Sequence, residues 1–182
     1  PSFFHLQIAG HAITSQPFGS WPAVLAFCQG FIFWFLMPAE GGENYPYKAI
    51  TSKQPWMGLA GLIIALICGG FLMPMFYVSL IAALGINPGV NPNITAASLE
   101  LSLIVFMLCW HHLFDDYPGA DIEPNVGKRV LTRMVIWVVG GSIFGFVWLK
   151  IYKYLPFAGT DLGMGYPVMG LLAGQFALLM VF

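Results

Sequence analysis

The chain has 182 residues, of which 58% are hydrophobic and only 8% are charged, whereas a soluble domain carries about 25% charged residues. The formal net charge is −1, so the chain lacks the basic surface that nucleic-acid binding requires. Composition therefore excludes an ordinary soluble domain and a nucleic-acid-binding protein, and it predicts a multi-pass integral membrane protein in contact with the lipid bilayer.

Hydrophobic segments of spanning length organise the chain. A helix needs about 20 mostly apolar residues to cross the hydrocarbon core of a bilayer. The pattern predicts an all-α, polytopic transmembrane bundle that forms one domain over residues 1–182. Pro74 lies inside the second segment, where its missing N–H predicts a kink or a break. The predicted spans are residues 20–37, 55–84, 95–114, 129–152 and 165–182.

The two ends of the chain are less regular. Residues 1–14 are predicted to be either the end of an earlier helix or a segment in the membrane interface. The chain starts at Pro1 rather than at a methionine, and Phe182 lies within a hydrophobic run. One expectation is therefore that the sequence belongs to a longer membrane protein.

The loops predict an orientation. If the helices alternate in direction, loops 38–54 and 115–128 lie on one side of the membrane. That side has more lysine and arginine than the opposite side, which has Lys150 and Lys153. Because positive residues favour the cytoplasm, both loops are predicted to be cytoplasmic. The cationic residues on this side are Lys48, Lys53, Lys128, Arg129 and Arg133.

A repeat of two-helix hairpins is suggested by the same loops. Each is acidic and contains a Tyr-Pro pair, Tyr45-Pro46 in one and Tyr117-Pro118 in the other, 72 residues apart. Two spans per unit would give both copies the same orientation, so the hypothesis is a parallel repeat. The alternative is chance similarity between hydrophobic hairpins.

Small residues recur at four-residue spacing in three predicted helices. In lipid, such faces allow two backbones to approach closely and drive helix packing. The pattern predicts a tight bundle, or contact with other membrane subunits or with a second copy of the chain. The residues concerned are Gly61, Ala65, Gly69, Gly141, Gly145, Gly170 and Gly174.

Three polar residues lie inside predicted spans. Gln29 and Gln175 either bond a neighbouring helix or form a polar site near the middle of the membrane. Glu100 is an ionisable residue within a span, which indicates a functional site by default. It would instead lie among the lipid headgroups if its helix began at Leu99 or later. These three residues are the candidate ligand or ion path.

A cluster of His and Asp follows at the end of the third span. Both residue types bind metals, and His111 with Asp115, or His112 with Asp116, could share an ion if the helix continued through them. The alternative is a helix C-terminus that favours histidine, followed by an acidic loop.

No sequence motif identifies a reaction. The chain has no Walker A, GxGxxG, HExxH, CxxCH or GxSxG motif, so the usual signatures of nucleotide, flavin, zinc, haem and hydrolase chemistry are missing. No cofactor is assigned, and an enzyme is not favoured. The leading hypothesis is a permease or channel-like transporter of a small polar solute or ion. The alternatives are a membrane subunit of a metal- or redox-dependent enzyme complex, and a scaffolding subunit without a site of its own.

Overall fold

The computed structural model describes residues 7–8, 11–12, 21–85, 92–151 and 154. The predicted all-α bundle is confirmed. Two short strands precede the bundle and pair with each other in antiparallel orientation. Of the two alternatives for residues 1–14, the end of an earlier helix is therefore wrong at the positions of these strands. The elements are β1 (Gln7–Ile8), β2 (His11–Ala12), α1 (Trp21–Glu40), α2 (Tyr47–Ile50), α3 (Trp56–Ile64), a π-helical segment (Ala65–Leu72), α4 (Met73–Ala83), α5 (Pro92–Phe114) and α6 (Val126–Ile151).

Four stretches of the described chain are long and apolar enough to cross a membrane. Their limits agree with the first four predicted spans to within a few residues. The fifth predicted span, residues 165–182, lies outside the described residues. The four stretches are Pro22–Glu40, Trp56–Ala83, Pro92–Phe114 and Val126–Ile151.

Helix α5 is the centre of the bundle. Its apolar window is 72% buried, against 17–33% for the other three stretches, and it packs against α1, α4 and α6. The outer helices expose apolar side chains such as Leu62, Phe76, Val135 and Ile143. A bundle with a buried central helix and apolar outer faces fits a lipid environment.

The second span does not break at Pro74. Helix α3 passes through the π-helical segment into α4, in which Pro74 is the second residue. Proline cannot donate a backbone hydrogen bond to the preceding turn. The wider π-helical hydrogen-bonding pattern directly before it keeps the chain helical where a kink or a break was predicted, so the break is excluded.

The two Tyr-Pro loops share a backbone conformation. Glu43 and Asn44 precede the first pair, Asp115 and Asp116 precede the second, and all four residues have positive φ. Two consecutive left-handed residues are unusual outside glycine, although Asn and Asp adopt the conformation more readily than most. The match at an offset of 72 residues supports the parallel repeat.

A helix contact recurs at the same offset. Gly30 of α1 lies against Gly69 of the π-helical segment. The residues 72 positions later are Ser102 and Gly141, and Ser102 donates a hydrogen bond to the Gly141 carbonyl over 2.8 Å. Each hairpin is therefore closed at an equivalent point, while superposition of the complete hairpins stays a prediction.

Two buried arginines of α6 join the repeated loops. Arg133 donates to the carbonyl oxygens of Gly41 (2.6 Å) and Pro118 (2.9 Å), one in each loop. Arg129 donates to both carboxylate oxygens of Glu43, at 2.6 and 2.9 Å. The two loops thus lie at the same end of the bundle, as alternating helices require. Their cytoplasmic location stays a prediction.

Candidate functional site

Glu100 lies within the central helix. Helix α5 begins at Pro92, so eight residues precede Glu100, which places it about 12 Å along the helix by its rise per residue. Its side chain is completely buried, with 0% exposure. Glu100 therefore faces the interior of the bundle rather than its outer surface. The alternative that depended on a helix starting at Leu99 or later is wrong, because helical structure begins seven residues earlier.

The carboxyl group of Glu100 is not neutralised by the described part of the chain. Neither of its oxygens has a hydrogen-bond partner there. Oε1 points towards Gly30 of α1, where it would lie 3.4 Å from a Cβ atom placed on that glycine. An unpaired carboxylate is expensive in a low-dielectric interior. The group therefore needs a proton or a cation in this conformation.

The backbone beside Glu100 comes from two helices in direct contact. A Cβ atom on Gly30 would lie 2.2 Å from the Gly69 carbonyl oxygen, and one on Gly69 would lie 2.3 Å from the Gly30 carbonyl oxygen. Only glycine allows this approach. Because Gly69 belongs to the π-helical segment, the carboxyl lies at the junction between α1 and an irregular part of the second span.

Polar side chains from four helices occur at a similar depth. Gln29 and Glu100 are each eight residues from the start of their helices, Tyr77 is six from the end of α4, and Ser142 is nine from the end of α6. With alternating helices, all four lie about 9 to 14 Å from the same end of the bundle. We call these four residues the polar layer.

The amide and the hydroxyl groups of the polar layer differ in their hydrogen bonding. Gln29 is 4% exposed, and its Oε1 has no partner among the described residues. Tyr77 is 1% exposed, and its hydroxyl lies 3.1 Å from Ser142 Oγ, with either atom able to donate. Within the part of the chain that the structure describes, the layer thus contains an unpaired acid, an unpaired amide oxygen and a hydroxyl pair.

The His and Asp cluster forms a different arrangement from the predicted one. Helix α5 ends at Phe114, and Asp115 and Asp116 have left-handed backbone conformations. The continuous helix on which both predicted pairs depended therefore stops before the two acids. His111 Nδ1 lies 2.9 Å from Asp116 Oδ2 instead, although the N–H is not aligned for a hydrogen bond.

The second ring nitrogen of His111 faces another acid. Its Nε2 lies 3.7 Å from Glu40 Oε2, so the two carboxylates approach opposite edges of the imidazole. A single ion could not bind both edges. The His112 ring lies 4.8 Å from that of His111, measured between centroids. Within the ranges that the structure describes, no three His, Cys, Asp or Glu side chains are placed to hold a metal ion.

Some site residues were missed and one cannot be placed. Gln175 lies outside the described residues, so its approach to Gln29 stays a prediction. Tyr77 and Ser142 were not predicted, because each lies in an apolar run and their partnership joins residues 65 positions apart. The contacts of Arg129 and Arg133 with the two Tyr-Pro loops did have a signal in the sequence. The two arginines are four residues apart, and this spacing places them on the same face of a helix.

Comparisons with protein-family models, with curated proteins and with solved structures found no significant match. The membrane assignment therefore rests on the four long apolar helices. Function has to be argued from the chemistry of the polar layer.

Proposed function

We propose that this membrane protein translocates protons, by binding and releasing them at Glu100, either alone or together with a small solute. The observation that carries the proposal is a completely buried carboxyl in the central helix, neither of whose oxygens has a hydrogen-bond partner among the described residues. Ionisable residues at such positions in membrane proteins mark ion pathways and proton relays. A purely structural role would require a partner that rewards burial of the acid.

A proton fits this carboxyl better than a metal cation does. Calcium takes six to eight oxygen ligands and magnesium demands six in octahedral geometry. In the described part of the polar layer, Glu100 is the one acidic side chain, and no group of three His, Cys, Asp or Glu ligands exists in those ranges. A proton needs only one carboxyl oxygen, so a single acid is enough.

The surrounding backbone supports a site that changes its access. π-helical turns occur frequently at functional sites, and transporters form their sites where spanning helices are irregular. Here the π-helical segment contacts α1 directly beside Glu100. A shift of this segment would alter the packing over the carboxyl without disturbing the α5–α6 hairpin.

Proton flux into liposomes tests the proposal. The purified protein would be reconstituted with an internal pH-sensitive dye, and a potassium diffusion potential would drive protons inward. We expect a flux that depends on the protein and that falls at least about tenfold in Glu100→Gln, because the amide keeps the shape but cannot release a proton. Asp121→Asn removes an exposed loop carboxyl and is the matched control, with unchanged flux.

The outcomes separate a transporter from a scaffold. A monodisperse Glu100→Gln variant without flux supports proton translocation. Equal flux in the wild type and Glu100→Gln, or wild-type flux no greater than that of empty liposomes, contradicts it.

A further inference from the structure

We propose that Glu100 also binds a sodium ion, in competition with the proton, and that the carbonyl oxygen of Gly69 and the amide oxygen of Gln29 are further ligands of this ion. The inference rests on the proposed function in taking Glu100 as the ion-binding group, and it adds a second ion for that group. All of the proposed ligand atoms are oxygens that accept hydrogen bonds. They come from α5, from the π-helical segment and from α1.

The carbonyl oxygen of Gly69 is left without a donor by its own helix. In a π-helix each N–H bonds the carbonyl five residues earlier, and the N–H of Met73 bonds the carbonyl of Cys68 in this way. The next donor in the π-helical pattern would be Pro74, which has no N–H. In the α-helical pattern the donor would be Met73, whose N–H already bonds Cys68. A backbone carbonyl without a helical donor therefore lies at the contact with α1.

A second proline shows what such a carbonyl does when another donor is near. Pro38 lies inside α1, so the carbonyl of Trp34, four residues earlier, loses its α-helical donor. The hydroxyl of Tyr47 donates to this carbonyl instead. The carbonyl of Gly69 has a different neighbour, because the polar group beside it is the carboxyl of Glu100.

Glu100 and the Gly69 carbonyl meet at Gly30. A Cβ atom on Gly30 would clash with the Gly69 carbonyl oxygen and would lie 3.4 Å from Glu100 Oε1. Both oxygens therefore border the same side of one glycine, which offers the carbonyl only a Cα–H group, a weak donor. An ionised carboxylate and a carbonyl oxygen repel each other, and a cation between them replaces the repulsion by attraction to both.

Gln29 adds a third oxygen at this depth. It belongs to the buried face of α1 together with Ala26, Gly30 and Phe33, at the spacing of one helix face. Its side chain is 4% exposed, and its Oε1 has no partner within the described chain. An amide oxygen is neutral, so it coordinates a cation without changing the net charge of the site.

The charge of the site selects a monovalent cation. Glu100 is the one acid in the described part of the polar layer, so one positive charge balances it, whereas a divalent ion would leave an uncompensated buried charge. Transporters coordinate Na⁺ through backbone carbonyls of irregular spanning helices, and the π-helical segment presents such a carbonyl. Because its backbone touches α1, the space favours sodium over the larger potassium ion. One Na⁺ binds as the carboxyl releases one H⁺, so charge is conserved.

Sodium-dependent thermal stability tests the site. The purified protein in detergent would be melted at alkaline pH in sodium, potassium or choline chloride of equal concentration. A ligand that binds only the folded state raises the melting temperature, so sodium should raise it relative to choline, and less so as the pH falls and protons compete. Glu100→Gln should abolish the shift. Asp121→Asn, which removes an exposed loop carboxyl, is the control and should retain it.

Two proline variants test the role of the Gly69 carbonyl. Pro74→Ala restores the missing N–H, so that this carbonyl can bond within its own helix. Sodium affinity, measured from the melting temperature against sodium concentration, should fall about tenfold or more, since loss of a group that supports a metal costs about 10- to 100-fold. Pro38→Ala restores an N–H in α1 and is the matched control, with unchanged affinity. Gln29→Met keeps the side-chain length without the oxygen and should weaken binding about as much as Pro74→Ala.

The outcomes separate the sodium site from the proposed function. No sodium-dependent shift in the wild type, an equal shift in Glu100→Gln, or an equal shift with potassium overturns the sodium site, and a proton flux that depends on Glu100 would then leave the proposed function intact. Unchanged sodium affinity in Pro74→Ala or in Gln29→Met overturns the ligand role of the carbonyl or of the amide. A sodium shift that requires Glu100, in a protein without proton flux, overturns the proposed function and leaves the sodium site.

Discussion

Replacement of Gly69 by alanine should destabilise the bundle, because α1 and the π-helical segment touch through their backbones. A Cβ atom at this position would lie 2.3 Å from the Gly30 carbonyl oxygen, 2.8 Å from the Gly30 carbonyl carbon and 3.0 Å from Phe31 Cα. Carbon atoms pack best at about 3.5 to 4.0 Å. All three obstacles are backbone atoms, so no change of rotamer relieves them, and α1 must move by about 1 Å.

The magnitude follows from two opposing effects. Overpacking of this kind costs about 1 to 3 kcal/mol, and alanine recovers up to about 1 kcal/mol through its higher helix propensity. Gly58→Ala is the matched control on α3, because its Cβ would meet only Gln54 Oε1 at 3.5 Å. This control gains the propensity without the clash. The difference between the two variants therefore measures the cost of separating the helices.

Thermal unfolding in detergent measures this difference. One kcal/mol shifts the midpoint of a protein of this size by about 2 to 4 °C, so Gly69→Ala should melt about 2 to 12 °C below Gly58→Ala. Gly30→Ala combined with Gly69→Ala should cost less than the sum of the single changes, since one displacement of α1 accommodates both methyl groups. If Gly69→Ala is as stable as Gly58→Ala, the direct helix contact does not exist.

Two pH-dependent predictions concern the loop end of the bundle. The hydrogen bond from Arg129 lowers the pKa of Glu43, so the stabilisation from this pair is present above the ordinary glutamate pKa of about 4.3 and is lost as pH falls through the lowered value. Acid unfolding should therefore be steeper in the wild type than in Glu43→Gln, and identical acid transitions would contradict the pairing. Burial raises the pKa of Tyr47 to about 12, so its stabilising neutral form is lost only as pH rises from about 10 towards that value. Tyrosine ionisation can be followed by ultraviolet absorbance, and subtracting the titration of Tyr47→Phe from that of the wild type isolates Tyr47. The difference curve should have its midpoint well above about 10, and a midpoint near 10 would place the Tyr47 hydroxyl in water.

The spans were predictable because length and apolar content decide whether a helix can cross a bilayer. The interior position of Glu100 was predictable for the same reason, since an acid within a span avoids lipid. The π-helical segment was not, because a change of hydrogen-bond register leaves an apolar sequence such as Ala65–Leu72 unaltered. Hydropathy reports where a segment lies, but it does not report how its backbone groups are paired.

The contacts of His111 show a second limit. Its predicted helical partner was Asp115, and the observed one is Asp116, because the helix ends at Phe114 and two left-handed residues follow. No glycine marks this end, so the sequence lacks the usual stop signal. The Tyr77–Ser142 pair is a third case, since tertiary packing alone brings these two helices together.

The 72-residue correspondence bears on whether Glu100 serves packing or function. The position equivalent to Glu100 in the first hairpin is Cys28, and the position equivalent to Arg133 is Gly61. Both hairpins nevertheless close at the same point, through Gly30 with Gly69 and through Ser102 with Gly141. Hairpin packing of this kind therefore does not depend on a carboxyl. A buried acid that the first hairpin lacks, and that has no hydrogen-bond partner in the described chain, is what the proposed proton-binding role requires.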